Sequence, residues 1–255
     1  MSRYVALGSS MAAGPGIRPR AAGAPRWSGR SARNYAHLLA GRLKLDAGPN
    51  FVDVTFSGAT TAHILTDEQR GAPPQIAALD GSETLVTVTI GGNDVGYVPL
   101  LLAASLPRPV QRLPLLRNRI SELLDRDERD RALNAVFDSL CEVGRAVRER
   151  APRARVFFVD YLTILPPDGA AAPLSNAAAE LGRHVAATLE RTTADAAAAT
   201  GCEVARAGAA SREHHAWSRE PWTIKPGVPL PGRPALLHPN AAGMRAVAEL
   251  VAAQV

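Results

Sequence analysis

Five short runs of apolar, largely β-branched residues constrain this chain more than any other feature: Tyr4–Leu7, Phe51–Phe56, Thr84–Ile90, Arg155–Val159 and, more weakly, Cys202–Ala207. A strand that is apolar on both faces has no side to show to water, so such runs belong in a sheet covered twice. Between them, apolar residues recur at helical spacing over Asn34–Leu43, Pro74–Leu79, Asp130–Arg150, Leu174–Thr200 and Asn240–Ala253. In Asp130–Arg150 the stripe is Leu133, Val136, Phe137, Leu140, Val143, Gly144 and Val147. Strands that alternate with helices are joined by crossovers and pair in parallel. The fold class is therefore α/β, with a mostly parallel central sheet of about five strands.

With 46% hydrophobic and 21% charged residues among 255, the chain can bury a full core. Disorder and a coiled coil are excluded, and 5% aromatic content does not suit an all-β domain. Neither a repeat period nor a long linker divides the sequence, so residues 1–255 read as a single domain. The apolar stretch Val98–Leu106 is interrupted by Pro99 and ends at Pro107, well short of the ~20 residues a membrane span needs. Met1-Ser2-Arg3 leads straight into the first strand without a leader pattern, which points to a cytoplasmic protein unless a leader was removed. Cys141 and Cys202 read as buried free thiols.

The net charge is +5, nearly all of it arginine, because Lys44 and Lys225 are the only lysines. From Arg108 to Arg155 the arginines alternate with acids, as on a solvated, ion-paired helix face, so no nucleic-acid partner is expected. From Met1 to Leu45 there are eight Arg or Lys residues and no acid. Arg18, Arg20, Arg26, Arg30 and Arg33 read as a solvated basic loop; the alternative is a positive potential at a cleft mouth.

Ligands of an open parallel sheet bind beyond the carboxyl ends of its strands. After Leu7 comes Gly8-Ser9-Ser10, after Phe56 comes Ser57-Gly58-Ala59-Thr60-Thr61, and after Ile90 comes Gly91-Gly92-Asn93-Asp94. Leu237-His238-Pro239-Asn240 precedes the last helix. Acyl transfer by a serine needs a base for its proton and donors for the oxyanion. Ser10 is the candidate nucleophile and His238 the candidate base. The N–H groups of Ser10 and Gly58 and the side-chain amide of Asn93 are the candidate oxyanion donors. Each part alone has a plainer reading: a turn, a helix cap, an N-terminal helix residue.

Together, Gly8-Ser9-Ser10, Gly58, Gly92-Asn93-Asp94 and His238-Pro239-Asn240 resemble the four blocks of the SGNH, or GDSL-type, esterases and lipases, over nearly the whole chain. The resemblance implies a flavodoxin-like, three-layer α/β/α fold, hydrolysis of small-molecule carboxylic esters through an acyl-enzyme, and no metal or organic cofactor. It maps the family's serine, glycine, asparagine and histidine onto Ser10, Gly58, Asn93 and His238.

Two departures stand out. Ser9 takes the place of the family's usual Asp in the first block, and Ala235 stands where an Asp usually precedes the histidine by three residues. A triad's Asp orients the imidazole; the expectation here is a Ser10–His238 dyad with the backbone carbonyl of Ala235 as orienter. The rival orienters are the carboxylates of Glu220 and Asp168, and Ser9 is the rival nucleophile. The functional alternatives are an acyltransferase with the same dyad, or a non-catalytic carbohydrate- or lipid-binding module with a decayed site. His37, His63, His184, His214 and His215 lack zinc spacing, and no metal site is expected. Trp217 and Trp222 either line a substrate pocket or anchor the approach to His238.

Overall fold

A computed structural model describes residues 2–45, 49–230 and 232–255. The predicted runs form β1 (Tyr4–Gly8), β2 (Phe51–Asp53), β3 (Leu85–Thr89), β4 (Arg155–Val159) and β5 (Glu203–Ala205). They pair in parallel throughout, in the order β2-β1-β3-β4-β5. Every residue of β1 and β3 is buried, as two-sided apolar strands require. The second strand is shorter than its apolar run because the Asp53 carboxylate accepts both the N–H (2.9 Å) and the hydroxyl (2.7 Å) of Thr55, turning the chain.

The helices are α1 (Ser10–Ala13), α2 (Tyr35–Arg42), α3 (Thr61–Leu65), α4 (Tyr97–Ser105), α5 (Arg108–Gln111), α6 (Pro114–Leu123), α7 (Arg126–Arg150), α8 (Asn176–Ala199), α9 (Ala207–Ala210) and α10 (Ala241–Ala252). Side chains of a strand alternate between faces. Tyr4 and Ala6 therefore pack with Leu39 of α2 and Met244, Val247 and Val251 of α10. Val5 and Leu7 pack on the opposite core with Leu100 of α4, Leu140 and Val143 of α7 and Val185 of α8. These are the three layers that the resemblance implied.

Helix starts follow their capping chemistry. The side chains of Asn34, Asp125, Ser175 and Asn240 each accept a backbone N–H of the first turn of α2, α7, α8 and α10. Asp125 starts α7 four residues earlier than the apolar stripe indicated. The apolar stretch that Pro99 interrupts in the sequence forms the continuous helix α4. Pro99 is its third residue, where a backbone N–H has no intrahelical acceptor, so proline costs nothing there. Pro74–Leu79 forms a single 3₁₀ turn, Gln75–Ala78.

In this strand order the chain moves outward from β1 to β2 and then returns across it to β3, so the loops that leave β1 and β3 diverge. The crevice between them is where the glycine-rich segments meet.

Candidate active site

Ser10 is the first residue of α1, directly beyond β1, and is nearly buried. Its position is set from behind. Gln75, itself buried, accepts the Gly8 N–H through Oε1 (2.7 Å) and donates Nε2 to the Gly8 carbonyl (3.1 Å), clamping the last peptide of the strand. The Ser9 hydroxyl turns away to the Tyr161 hydroxyl (3.1 Å), which also accepts the Gly92 N–H (2.9 Å). One phenol thus ties the loop after β1 to the loop after β3. Gly92 is obligatory at that contact, since a Cβ there would collide with the Tyr161 ring.

The imidazole of His238 reaches Ser10 from the far end of the chain. Its Nε2 lies 2.8 Å from Ser10 Oγ, and its Nδ1 lies 2.7 Å from the carbonyl oxygen of Leu236. A carbonyl only accepts, so Nδ1 carries the proton and Nε2 presents its lone pair to the serine O–H. Burial of the ring lowers the His238 pKa, against the opposing pull of the Leu236 hydrogen bond, so the neutral base is favoured.

The acceptor for Nδ1 is Leu236, not Ala235. Leu237 between them and the histidine has φ +62°, a left-handed turn that swings the Leu236 carbonyl under the ring. The Ala235 carbonyl instead takes the His238 backbone N–H (3.3 Å). Glu220 and Asp168 are both exposed, and neither carboxylate is bonded to the imidazole. Asn240 caps α10 and Ile224 brackets His238, donating to its carbonyl (3.0 Å) and accepting from Leu237 (2.9 Å).

Gly58 adopts φ +82°, a conformation that directs its N–H without a Cβ in the way. Among the described residues, neither the Ser10 N–H nor the Gly58 N–H is engaged in a hydrogen bond. Asn93 donates one amide hydrogen to the Ala59 carbonyl (2.8 Å), which fixes the side chain and leaves the other hydrogen for a ligand. Asp94 does not cap the helix that follows it. It holds the start of α3, accepting the Thr61 N–H (3.0 Å) and hydroxyl (2.6 Å), and so ties the second block to the third.

Ser10, Gly58, Asn93 and His238 line one open groove of about 410 Å³ with Pro15, Trp27, Val98, Pro99 and Leu102. Trp27 is the aromatic of this groove, flanked by the guanidinium groups of Arg26 and Arg70 at 5.6 and 5.1 Å. Trp222 has the anchoring role of its two readings: its ring stacks on His214 at 4.0 Å, and its carbonyl accepts the Asn240 N–H. Trp217 likewise donates to the Ala172 carbonyl. Of the basic loop, Arg30 is folded in rather than solvated, donating to the Thr55 carbonyl beside buried Asp53. Among the described residues, no three His, Cys, Asp or Glu side chains are grouped to hold a metal ion. Cys141 is buried and Cys202 is partly exposed; both are free thiols.

The family model of the GDSL-like lipase/acylhydrolase family matches residues 6–246. The chain belongs to this family. As a GDSL-type protein it is a carboxylic ester hydrolase. Its relatives include Lipase 2 of Streptomyces coelicolor, 31% identical over 96% of this chain and 83% of the relative. Another is a lipase of Streptomyces rimosus, 27% identical over 94% and 81%. Phospholipase A1 from Streptomyces albidoflavus shares the fold, with a TM-score of 0.80 at 24% identity over 99% of this chain and 98% of that one. An extracellular lipase from S. rimosus shares it as well, with a TM-score of 0.79 at 23% identity over 100% and 99%. Nothing in these comparisons supports the cytoplasmic placement suggested by the N-terminal sequence. Among the described residues, no helix of this GDSL-type chain is long and apolar enough to cross a membrane.

Proposed function

We propose that this GDSL-type domain, spanning residues 1–255, hydrolyses small carboxylic esters through a Ser10–His238 dyad. The observation that carries the reading is the 2.8 Å contact between Ser10 Oγ and His238 Nε2, made across 228 positions of sequence. Ser10 Oγ attacks the ester carbonyl carbon as its proton passes to Nε2. Negative charge gathers on the carbonyl oxygen, opposite the N–H groups of Ser10 and Gly58 and the second amide hydrogen of Asn93. The C–O bond to the alcohol breaks, and the leaving oxygen takes the proton from Nε2. Water then repeats the sequence on the acyl-enzyme, with His238 again as base, and releases the carboxylic acid. The Leu236 carbonyl holds the tautomer that these transfers need.

Trp27, Val98 and Leu102 give the groove an apolar wall suited to an acyl chain. The extracellular description of the S. rimosus lipase favours action outside the cell, the case in which a leader was removed.

The dyad is tested by substitution. Ser10→Ala is expected to abolish labelling by a fluorophosphonate and to lower kcat on p-nitrophenyl acetate by 10³-fold or more, on the order seen when a nucleophile is removed. Ser9→Ala keeps the label. Glu220→Gln and Asp168→Asn retain turnover within about twofold, since neither side chain enters the base's hydrogen bonding. Loss of activity in either variant with the fold intact would hand the orienting role to a carboxylate.

A further inference from the structure

We propose that the face built by α5, α6 and residues 225–230 docks this protein on anionic lipid surfaces, an activity beyond ester hydrolysis and separable from it. Helix α6 and residues 226–229 face each other across a second groove, of about 480 Å³, lined by Leu102, Leu106, Leu116, Ile120 and Leu123 on one side and Pro226 and Pro229 on the other. Leu102 also lines the catalytic groove, so the two are continuous.

The rim carries large apolar side chains turned to solvent. Leu115 is 96% exposed, Val228 79%, Leu230 59% and Leu113 49%. Single exposed apolar residues are ordinary, but a cluster around one groove marks an interaction surface.

The charge of the same face identifies the partner. The alternation with acids expected from Arg108 onward begins only at Glu122: from Leu106 to Ser121 there are four arginines, Arg108, Arg112, Arg117 and Arg119, and no acid. From Lys225 to Asn240 there are Lys225 and Arg233 and again no acid. Among the described residues none of these six cations forms an ion pair with Asp or Glu, although elsewhere Arg3, Arg42, Arg126, Arg131, Arg155 and Arg212 do. Leu115 and Arg119 stand one turn apart on α6, so an apolar and a cationic group share one stripe of that helix, and Arg112 sits at the α5–α6 junction just before it. A protein partner would have to bring acids and an apolar ridge together. A lipid surface with phosphate headgroups offers both over any area: leucines enter the acyl boundary and guanidinium groups pair with phosphates.

Sedimentation of the full chain with vesicles tests this, using phosphatidylcholine alone and phosphatidylcholine with about one-third phosphatidylglycerol. The anionic vesicles are expected to bind ~10-fold more protein, with binding falling as salt is raised to ~0.5 M. Leu115→Ser with Val228→Ser, and separately Arg112→Gln with Arg119→Gln, should each lower that binding about fivefold or more, while kcat/KM on soluble p-nitrophenyl acetate stays within about twofold. Ser10→Ala should bind vesicles like the unsubstituted protein, so a failed catalytic reading leaves this one standing. Equal partition into both vesicles, or indifference to both variant pairs, would overturn the proposal. So would light scattering that reveals a concentration-dependent dimer dissolved by Leu115→Ser without vesicle binding, which assigns the face to a second copy.

Discussion

Leu237 holds a backbone conformation that costs a leucine about 1 kcal/mol or more, and its side chain is fully buried, which keeps it there. That local cost moves the hydrogen-bond acceptor of His238 from Ala235 to Leu236. That Ser10, Gly58, Asn93 and His238 come together at one groove was readable because each lies in a small polar segment after a strand or before the last helix. The orienting carbonyl was not readable, because every residue has one and only φ and ψ decide which points at the ring. Gln75 and Tyr161 escaped for a related reason: a glutamine or tyrosine in a loop carries no signal until its partner peptide is known. Since burial lowers the His238 pKa, the base stays neutral to a more acidic pH than an ordinary histidine. The acid limb of the kcat/KM profile is expected to have its midpoint below about 6.5. A midpoint above that value would contradict the desolvated ring.

Among the elements, the 3₁₀ turn that carries Gln75 positions Ser10, the proposed nucleophile, without entering the groove. Gln75→Leu fills a similar volume but leaves the Gly8 N–H buried without its partner, at a cost of about 1–3 kcal/mol. Denaturant titration should show that loss. kcat should fall with KM little changed, because the clamp fixes Ser10 rather than contacting substrate; Gln75→Glu, which keeps an acceptor for the Gly8 N–H, should recover part of the stability. Helix starts were legible where Asn34 and Asn240 stood directly before an apolar stripe, but not at α7, whose cap Asp125 lies more than a turn ahead of its stripe. The α5–α6 region was not, since its leucines face outward and no stripe points to a core. Capping still has a measurable part there: Asp125→Ala removes the acceptor of the Glu128 N–H at 2.9 Å and should lower stability by about 1 kcal/mol in the same titration.

At the scale of the whole molecule, the sheet order follows from apolar strands that must be covered twice, and the crevice follows from the order. Asp160, just past β4, shows what this enclosure does to charge. Burial lifts its pKa to about 7, although Oδ1 accepts the Gly208 N–H at 2.8 Å, and Oδ2 has no partner. The folded state therefore holds a proton that the unfolded chain releases near pH 4. That contribution is intact below the unfolded value, declines as pH rises toward about 7 and is level above it, by at most ~4 kcal/mol. Asp160→Asn is expected to melt above the unsubstituted protein at pH 8, with the gap closing toward pH 4; a constant gap in thermal scans would refute it. The span of 228 positions between hydroxyl and imidazole has a consequence for synthesis. On the proposed dyad, a chain in synthesis carries its serine long before its histidine, so that serine stays idle until the segment around position 238 has been made and seated.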